Sequence, residues 1–439
     1  MKKYVILLNL LAILSSCESY LDVKPRKSID TPNSFEAVRA LLDNAESLNT
    51  FPTQSVVLGD EFFADEQGIT GMDLLERNFY LWLPDPFQPD DLVFDWRDCY
   101  NQIQIANIAL ETLDELPTSN QEWSVLRGTA LFFRAHAYFN LYSLFLDGPN
   151  LETKGLTLQI PIRTNTSIVL KPQLAGKETI REMILKDLTD ATTLLPQKVE
   201  FLSRPSQQAA FALLARANLS WEDYAAASEA AQEAIRLGGT LMDFNSLRPS
   251  ATYPVPAFNS EIIWLAQVGG TSYFNSQNAF QISEELLGLH SSQDLRRTLF
   301  YVRRANGLIN FRGSYLSGRP LFGGLSLNEM YLVYAESLVR LGQVSEAETV
   351  LEVLLKNRMN PSWQGLTFAT ETDALRQIID ERRKELPFRG LRWTDLRRLN
   401  KDPRFQVTLN RRFSGSSYTL SPDSENYVVP IPARELGFY

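Results

Sequence analysis

Two stretches of this chain, 120 residues apart, carry one pattern, and that pattern leaves few folds open. Ala209-Ala210-Phe211-Ala212-Leu213-Leu214-Ala215-Arg216-Ala217 runs through Trp221-Glu222-Asp223-Tyr224 into Ala227 and Ala231. Met330-Tyr331-Leu332-Val333-Tyr334-Ala335 runs through Leu341-Gly342-Gln343-Val344 into Ala347, and in both stretches alanines stand twelve apart across a short turn. Small side chains at that spacing let two antiparallel helices approach closely, and such a pair buries its apolar faces only by stacking on neighbours. The chain is therefore expected to be built mainly of packed helix pairs.

The pairs are degenerate versions of the tetratricopeptide pattern, and other helices surround them. Tyr100, Ile103, Asn107, Leu110 and Leu113 recur every three or four positions, which predicts a helix from about Trp96 to Leu116, stopped by Pro117. The next segment, about Glu122 to Leu146, is apolar nearly all round, so a central, buried helix is expected there. Helical period also begins near Phe35. Phe51 to Asp95 and Arg248 to Gly324 differ: they are rich in Gly, Pro, Asn, Ser and aromatics and predict long loops with short strands. Loops that long are usually functional, since a rigid scaffold carries them free of packing duties.

Composition narrows the function classes. With 44% hydrophobic and 22% charged residues among 439, the chain can bury a large core and is not of the disordered type. Its formal charge of −9 becomes −11 when a leader holding Lys2 and Lys3 is removed, which argues against a phosphate-binding nucleic-acid protein. Only Cys17 and Cys99 are present, so neither a disulfide framework nor a four-cysteine zinc site is available, and His136 and His290 are too far apart for a local metal motif. Tyr4 to Leu14 is an apolar run too short for the ~20 residues of a membrane span, and it reads as the core of a signal peptide. Leu14-Ser15-Ser16-Cys17 follows it and resembles a bacterial lipobox, which makes Cys17 the lipidated first residue of the mature protein. Glu18 to Pro25 is then a polar, extended leader between lipid and body. At least two acyl chains give stable anchoring, and no other stretch approaches a span.

A resemblance adds to these readings. Asp380-Glu381-Arg382-Arg383-Lys384-Glu385-Leu386-Pro387-Phe388-Arg389-Gly390-Leu391-Arg392-Trp393-Thr394-Asp395-Leu396-Arg397-Arg398 resembles the signature of the SusD/RagB family, the starch-utilisation-type lipoproteins of Bacteroidetes outer membranes. Ser16-Cys17 to Leu21-Asp22-Val23-Lys24-Pro25, Arg127-Gly128 through Phe133-Arg134-Ala135 to Tyr138-Phe139, Asn328 to Glu336 and Val429-Pro430-Ile431-Pro432 match in the family's order. Leu146-Asp147-Gly148-Pro149 departs from a usual Phe-Gly turn, and Arg389 replaces a common acidic residue. The resemblance implies a mainly α fold: a tetratricopeptide-like helical-repeat body with a loop-rich, irregular ligand-binding region and few short strands. It implies a signal peptide at 1–16 and one SusD-like domain at 17–439, with an N-terminal part to about 300 and a C-terminal RagB/SusD part from about 255. It further implies a non-catalytic, lipid-anchored protein on the cell surface of the outer membrane. Such a protein captures oligosaccharides, or in some members peptides, and delivers them to a SusC-like TonB-dependent transporter.

Candidate chemistry follows from the two loop regions. Sugars offer apolar C–H faces and polar rims, so flat rings beside Asn, Asp or Arg suit them. Tyr80, Trp82 and Phe87, with Asp65 and Glu66, are the ligand candidates of the first region; Tyr273, Asn275 and Tyr315, beside Phe274 and Phe322, are those of the second. Each such ring also suits a core, and Trp96, Trp264, His136 and Cys99 are assigned to it outright. A hydrolase reading needs two facing carboxylates, for which Asp60, Glu61, Asp65, Glu66, Asp85, Asp90, Asp91, Asp95, Glu284 and Glu285 are the raw material. The Asp85 to Asp95 run lacks EF-hand spacing, and no metal, cofactor or catalytic residue is expected. Arg382 to Arg398 and their neighbouring acids are expected to pair on successive turns as an ionic hinge between helices.

Overall fold

A computed structural model describes residues 32–437, apart from 150–154, 156, 168, 271–280 and 319. Cys17 and the leader lie outside the described residues. Ten helices of eight or more residues are present among those described: α1 (Phe35–Leu42), α2 (Phe94–Asp114), α3 (Gln121–Leu141), α4 (Lys177–Leu194), α5 (Gln207–Ser220), α6 (Tyr224–Arg236), α7 (Leu327–Arg340), α8 (Val344–Lys356), α9 (Glu371–Glu385) and α10 (Arg392–Leu399). From α2 to α8 each packs on the one before it, and α9 closes the row on α7 and α8. The row continues from α6 directly to α7 although the second loop region separates them in sequence. That is the helical fold with tetratricopeptide-like pairs expected from the alanine pattern.

Packing explains the residues. Ala209, Ala212, Ala215 and Ala217 of α5, Ala227 and Ala231 of α6, and Ala335 and Ala347 of α7 and α8 are all fully buried, so each alanine marks a close helix crossing. Helix starts are capped by side chains: Asn120 accepts from Glu122 N, Ser206 from Ala209 N and Asp223 from Ala226 N. The predicted apolar helix at 122–146 is buried as expected, but its regular part stops at Leu141 and its last turn, Tyr142–Leu146, is a π-helix. Trp96, Trp264, His136 and Cys99 are all core residues, none more than 3% exposed.

Among the described residues, ten short strands form five two-stranded sheets, and some of these tie the loop regions to each other and to the helix row. β1 (Thr50–Phe51) runs parallel to β5 (Gln267–Val268), joining the first region to the second. β4 (Ile262–Trp264) pairs with β8 (Leu325–Ser326), so the second region leaves and re-enters the helix row at one place. The remaining strands, β2 (Ile160–Ile162) with β3 (Gln173–Ala175), β6 (Tyr301–Arg303) with β7 (Ile309–Phe311) and β9 (Leu409–Phe413) with β10 (Ser416–Leu420), are antiparallel hairpins. The loop regions also hold helical turns at Gln54–Val57, Glu66–Thr70, Leu74–Tyr80, Glu284–Gly288 and Arg296–Leu299 that the sequence reading passed over. Elements this short span too few turns to show a period.

The C-terminal signature is a hinge of the expected ionic kind, with one correction. Arg382 of α9 donates to Asp395 of α10 at 2.7 Å, and Lys384–Glu381 and Arg398–Asp395 are local pairs. Most of its charges, however, pair across the fold rather than on successive turns. Arg398 meets Glu336 of α7, Arg392 and Arg383 meet Asp60 at 2.6 and 3.2 Å, and Glu381 and Glu385 bind Arg296. Burial is the reason, because a charged group away from water must be matched by whatever element packs against it. Gly390 turns the chain between α9 and α10 at φ +73°, and a Cβ there would stand 2.5 Å from the Phe51 ring.

Candidate functional site

The two loop regions meet at β1 and β5, where Gly269 N donates to Phe51 O at 2.9 Å. A cleft of about 250 Å³ opens there between Thr50–Thr53, the first turns of α2 and Gly269–Gly270. Asp95 fastens its floor: the carboxylate accepts from Thr53 N at 3.0 Å and Gln54 N at 2.8 Å. Burial pushes the Asp95 carboxyl up to about 7, with the Asp98 charge adding to it against the pull of those two amides. Behind it Gln102 donates to Thr50 Oγ1 at 2.7 Å, and Cys99 closes the wall.

On the rim, Phe94 is 54% exposed, far more than an aromatic ring in a core. The Arg97 guanidinium lies 4.6 Å from its ring centre and donates to Asp98 at 2.8 Å. An exposed flat ring, a guanidinium and a carboxylate thus stand together at one edge, which is the mixture of apolar face and polar rim that a sugar offers in return. Two wider clefts lie away from this junction. One of about 640 Å³ borders β2 and β3. The other, of about 490 Å³ between α3 and α4, has its charges committed to pairs such as Arg134–Asp187 and Lys186–Asp190.

The ring candidates of the sequence reading fall elsewhere. Tyr80 and Trp82 are 2% and 4% exposed and enclose Arg411, whose guanidinium lies 3.7 and 4.0 Å from their ring centres. Arg411 donates to the carbonyls of Val57, Gly59 and Tyr80, and burial pushes it down to about 10. Tyr80 OH accepts from Ala64 N, and Trp82 Nε1 donates to Leu58 O. Phe87 packs edge-on against Phe79. Tyr315 is 1% exposed, donates to the Glu261 carboxylate and accepts from Asn328. These four rings are corrected from ligand platform to core: the loop regions fold around Arg411 and the signature's ion pairs, and the rings supply the apolar bulk that this requires. Tyr273 and Asn275 lie outside the described residues, and the chain enters their segment from Gly270 on the cleft rim.

The acidic candidates are divided among structural tasks. Asp65 caps the turn Glu66–Thr70 through Gly68 N, and Glu66 accepts from Ser414 N. Asp91 accepts from Gln88 N, while Glu284 and Glu285 pair with Arg303 and Arg383. Asp85 and Asp90 are exposed. Half-buried Asp60 and buried Glu61 stand next to each other with opposite fates. Burial would raise Asp60, but Arg392 and then Arg383 hold it well below the usual carboxylate range. Glu61 is pushed up to about 8 by burial and by Asp60, while accepting from Phe388 N. Neither lines the cleft.

Sequence reasoning missed Phe94. Its signal was the helical period itself: with Trp96, Tyr100 and Ile103 on the buried face of α2, position 94 is turned about 200° from Trp96 and so toward solvent.

Comparison with known proteins gives the family. Residues 19–219 match the SusD-like family model described as starch-binding and associating with the outer membrane, and residues 327–436 match the SusD family model. The SusD-like protein P38 of Formosa agariphila is 27% identical over 200 residues, an alignment that spans 43% of this chain and 36% of that relative's length. A SusD superfamily crystal structure from Bacteroides thetaiotaomicron superposes with a TM-score of 0.74 at 20% identity, covering 92% of this chain and 98% of that one. A laminarin-binding SusD-like protein superposes with a TM-score of 0.62 at 18% identity, covering 92% and 97%. Because family models match both ends of the helix row and the fold is shared over nearly its whole length, the chain belongs to the SusD/RagB family.

Proposed function

We propose that this protein captures oligosaccharides at the cell surface, in the cleft edged by Phe94, and delivers them without chemical change to a TonB-dependent transporter in the outer membrane. The exposed Phe94 ring beside Arg97 and Asp98 carries the reading, because nothing in the core requires an aromatic there. Membership of a family described as starch-binding and associated with the outer membrane supports it, as does the laminarin-binding relative that shares the fold. Residues 17–439 act as one body after a signal peptide at 1–16, held to the membrane by lipid on Cys17. Among the described residues no helix is long and apolar enough to cross a membrane. Capture is then useful only if a channel lies within reach, and tethering both partners to one membrane raises their effective concentration. The acids near the cleft hold backbone amides and guanidinium groups, which supports binding rather than hydrolysis.

A glycan array probed with the mature protein lacking Cys17 identifies the ligand, and calorimetry of the best glycan tests the site. Covering ~50 Å² of apolar sugar face contributes about 1 kcal/mol at ~25 cal/mol/Å², so Phe94→Ala should weaken binding about fivefold. Unchanged affinity in a folded variant removes Phe94 from the site. Product formed from the bound glycan would contradict the non-catalytic role, and capture of peptides alone would move the ligand class.

A further inference from the structure

Behind the cleft, on the other side of Phe51, lies a small internal space of about 20 Å³. It is bounded by α3 and its π-helical turn, by α5, and by the hinge of α9 and α10, so it sits where the helix row joins the family signature. Four of its lining residues, Asn140, Ser143, Arg216 and Arg382, are 1 to 8% exposed.

Three of the four have spent part of their bonding capacity, and Ser143 has spent none. Arg216 binds both oxygens of Glu329 through Nε and Nη2, at 2.7 and 2.6 Å, and Nη2 also donates to Gly324 O. Arg382 donates from Nε to Asp395. Asn140 offers Nδ2 to His136 Nε2 at 3.3 Å, and burial followed by the charge of Arg216 lowers the His136 imidazole to about 3, so it stays neutral. What remains is Arg216 Nη1, Arg382 Nη1, Asn140 Oδ1 and Ser143 Oγ, all buried and all without a hydrogen-bond partner in the protein. Leaving four such atoms dry is costly, and native interiors satisfy them with whatever ligand fits.

We propose that this space is a binding site for a single structural water molecule. Size and chemistry both select it. About 20 Å³ exceeds the roughly 10–15 Å³ that one water needs, and a buried water typically takes two to four polar partners. The four atoms comprise two N–H donors, one acceptor and one hydroxyl that serves either way, matching a molecule that gives two hydrogen bonds and takes two. An anion would meet the guanidinium N–H groups but also Asn140 Oδ1 and the Asp395 carboxylate, while a metal ion would face two arginines. No charge is left over to recruit an ion, since Arg216, Arg382 and Arg398 are matched by Glu329, Asp395 and Glu336. The bound water joins α3 and its last turn to α5 and α9, behind the ring that walls the candidate ligand cleft.

A crystal structure of the mature protein, at a resolution where buried waters are resolved, decides the matter. The expected result is one peak within about 2.6–3.2 Å of at least three of the four atoms. Absence of a peak with the four atoms still unpaired, or their rearrangement to satisfy one another, would overturn the proposal. Crystals soaked in bromide test the ionic alternative, and an anomalous peak in the space would replace water by an anion. In Ser143→Val the added methyl groups should evict the water, so that the peak vanishes and the two guanidinium groups turn to other acceptors. A peak that persists in that variant at the same distance from both arginines would overturn the assignment of Ser143 Oγ to the site. Should the variant fail to fold, the native crystal and the bromide soak still decide.

Discussion

Single side chains in this protein take their properties from the fold's charge matching. Glu61 is pushed up from 4.5 to about 8, so the folded chain keeps a proton that the unfolded chain releases above about 4.5. Its contribution to stability is whole at low pH and is lost as pH rises through that window. Glu61→Gln retains an acceptor for Phe388 N and removes the titration. Unfolding free energies from urea titrations between about pH 5 and pH 8 should therefore fall less steeply in the variant, by a difference on the order of a few kcal/mol. Parallel curves would mean that Glu61 is already ionised in the fold. Asp95, pushed up to about 7, acts in the same direction, whereas Asp60 and Asp294, held low by their arginines, lose their contribution only as pH falls into the acid range. Trp82 makes a second case. Because it walls Arg411 instead of facing a ligand, Trp82→Ala should cost about 3–5 kcal/mol of stability. A Trp82→Ala protein as stable as the native one, with ligand affinity reduced, would restore it to the site.

Helices meet here at distances set by their smallest residues. Gly128, within the family motif of α3, faces α4: a Cβ added there would stand 2.9 Å from Leu194 Cβ and 3.0 Å from Leu195 Cγ. Glycine is thus needed for close approach, despite its cost inside a helix. Gly128→Ala should destabilise by about 1–3 kcal/mol through overpacking. Gly288→Ala, whose added methyl meets nothing within 4 Å, should be neutral or slightly stabilising. Denaturation midpoints of the two variants measured side by side check the contrast, and equal midpoints would show that α3 and α4 can part at no cost. The alanine pattern made the row α5 to α8 legible in advance, since repeat and burial there share one cause. The loop helices and the paired strands were not legible, because elements of two to seven residues owe their shape to their contacts.

At the scale of the whole molecule, the proposed role depends on where the body is held. Among the described residues the first helix is Phe35–Leu42, well after Cys17, so Cys17→Ala should abolish incorporation of labelled fatty acid and release the protein from membranes. Its circular dichroism and its glycan affinity should stay unchanged. Equal labelling of native and variant protein would remove the lipid anchor. The same placement keeps the Phe94 cleft independent of the tether, so loss of anchoring and loss of binding are separable defects.

Helix pairing and the family signature were determined by the sequence alone, because periodicity, small-residue spacing and motif order are local quantities. The identity of the exposed ring was decided by tertiary structure. Tyr80, Trp82, Phe87, Tyr315 and Phe94 all lie in or beside aromatic, turn-rich segments that look alike in one dimension. Tyr80 and Trp82 are consumed around Arg411, Tyr315 beside Glu261 and Phe87 against Phe79, and Phe94 is left out because Trp96, two positions on, takes the buried face of α2. The partners of the signature's arginines were equally hidden: Arg392 finds Asp60, and Arg398 finds Glu336, only once distant elements are packed, since a buried charge is matched in space and not in sequence.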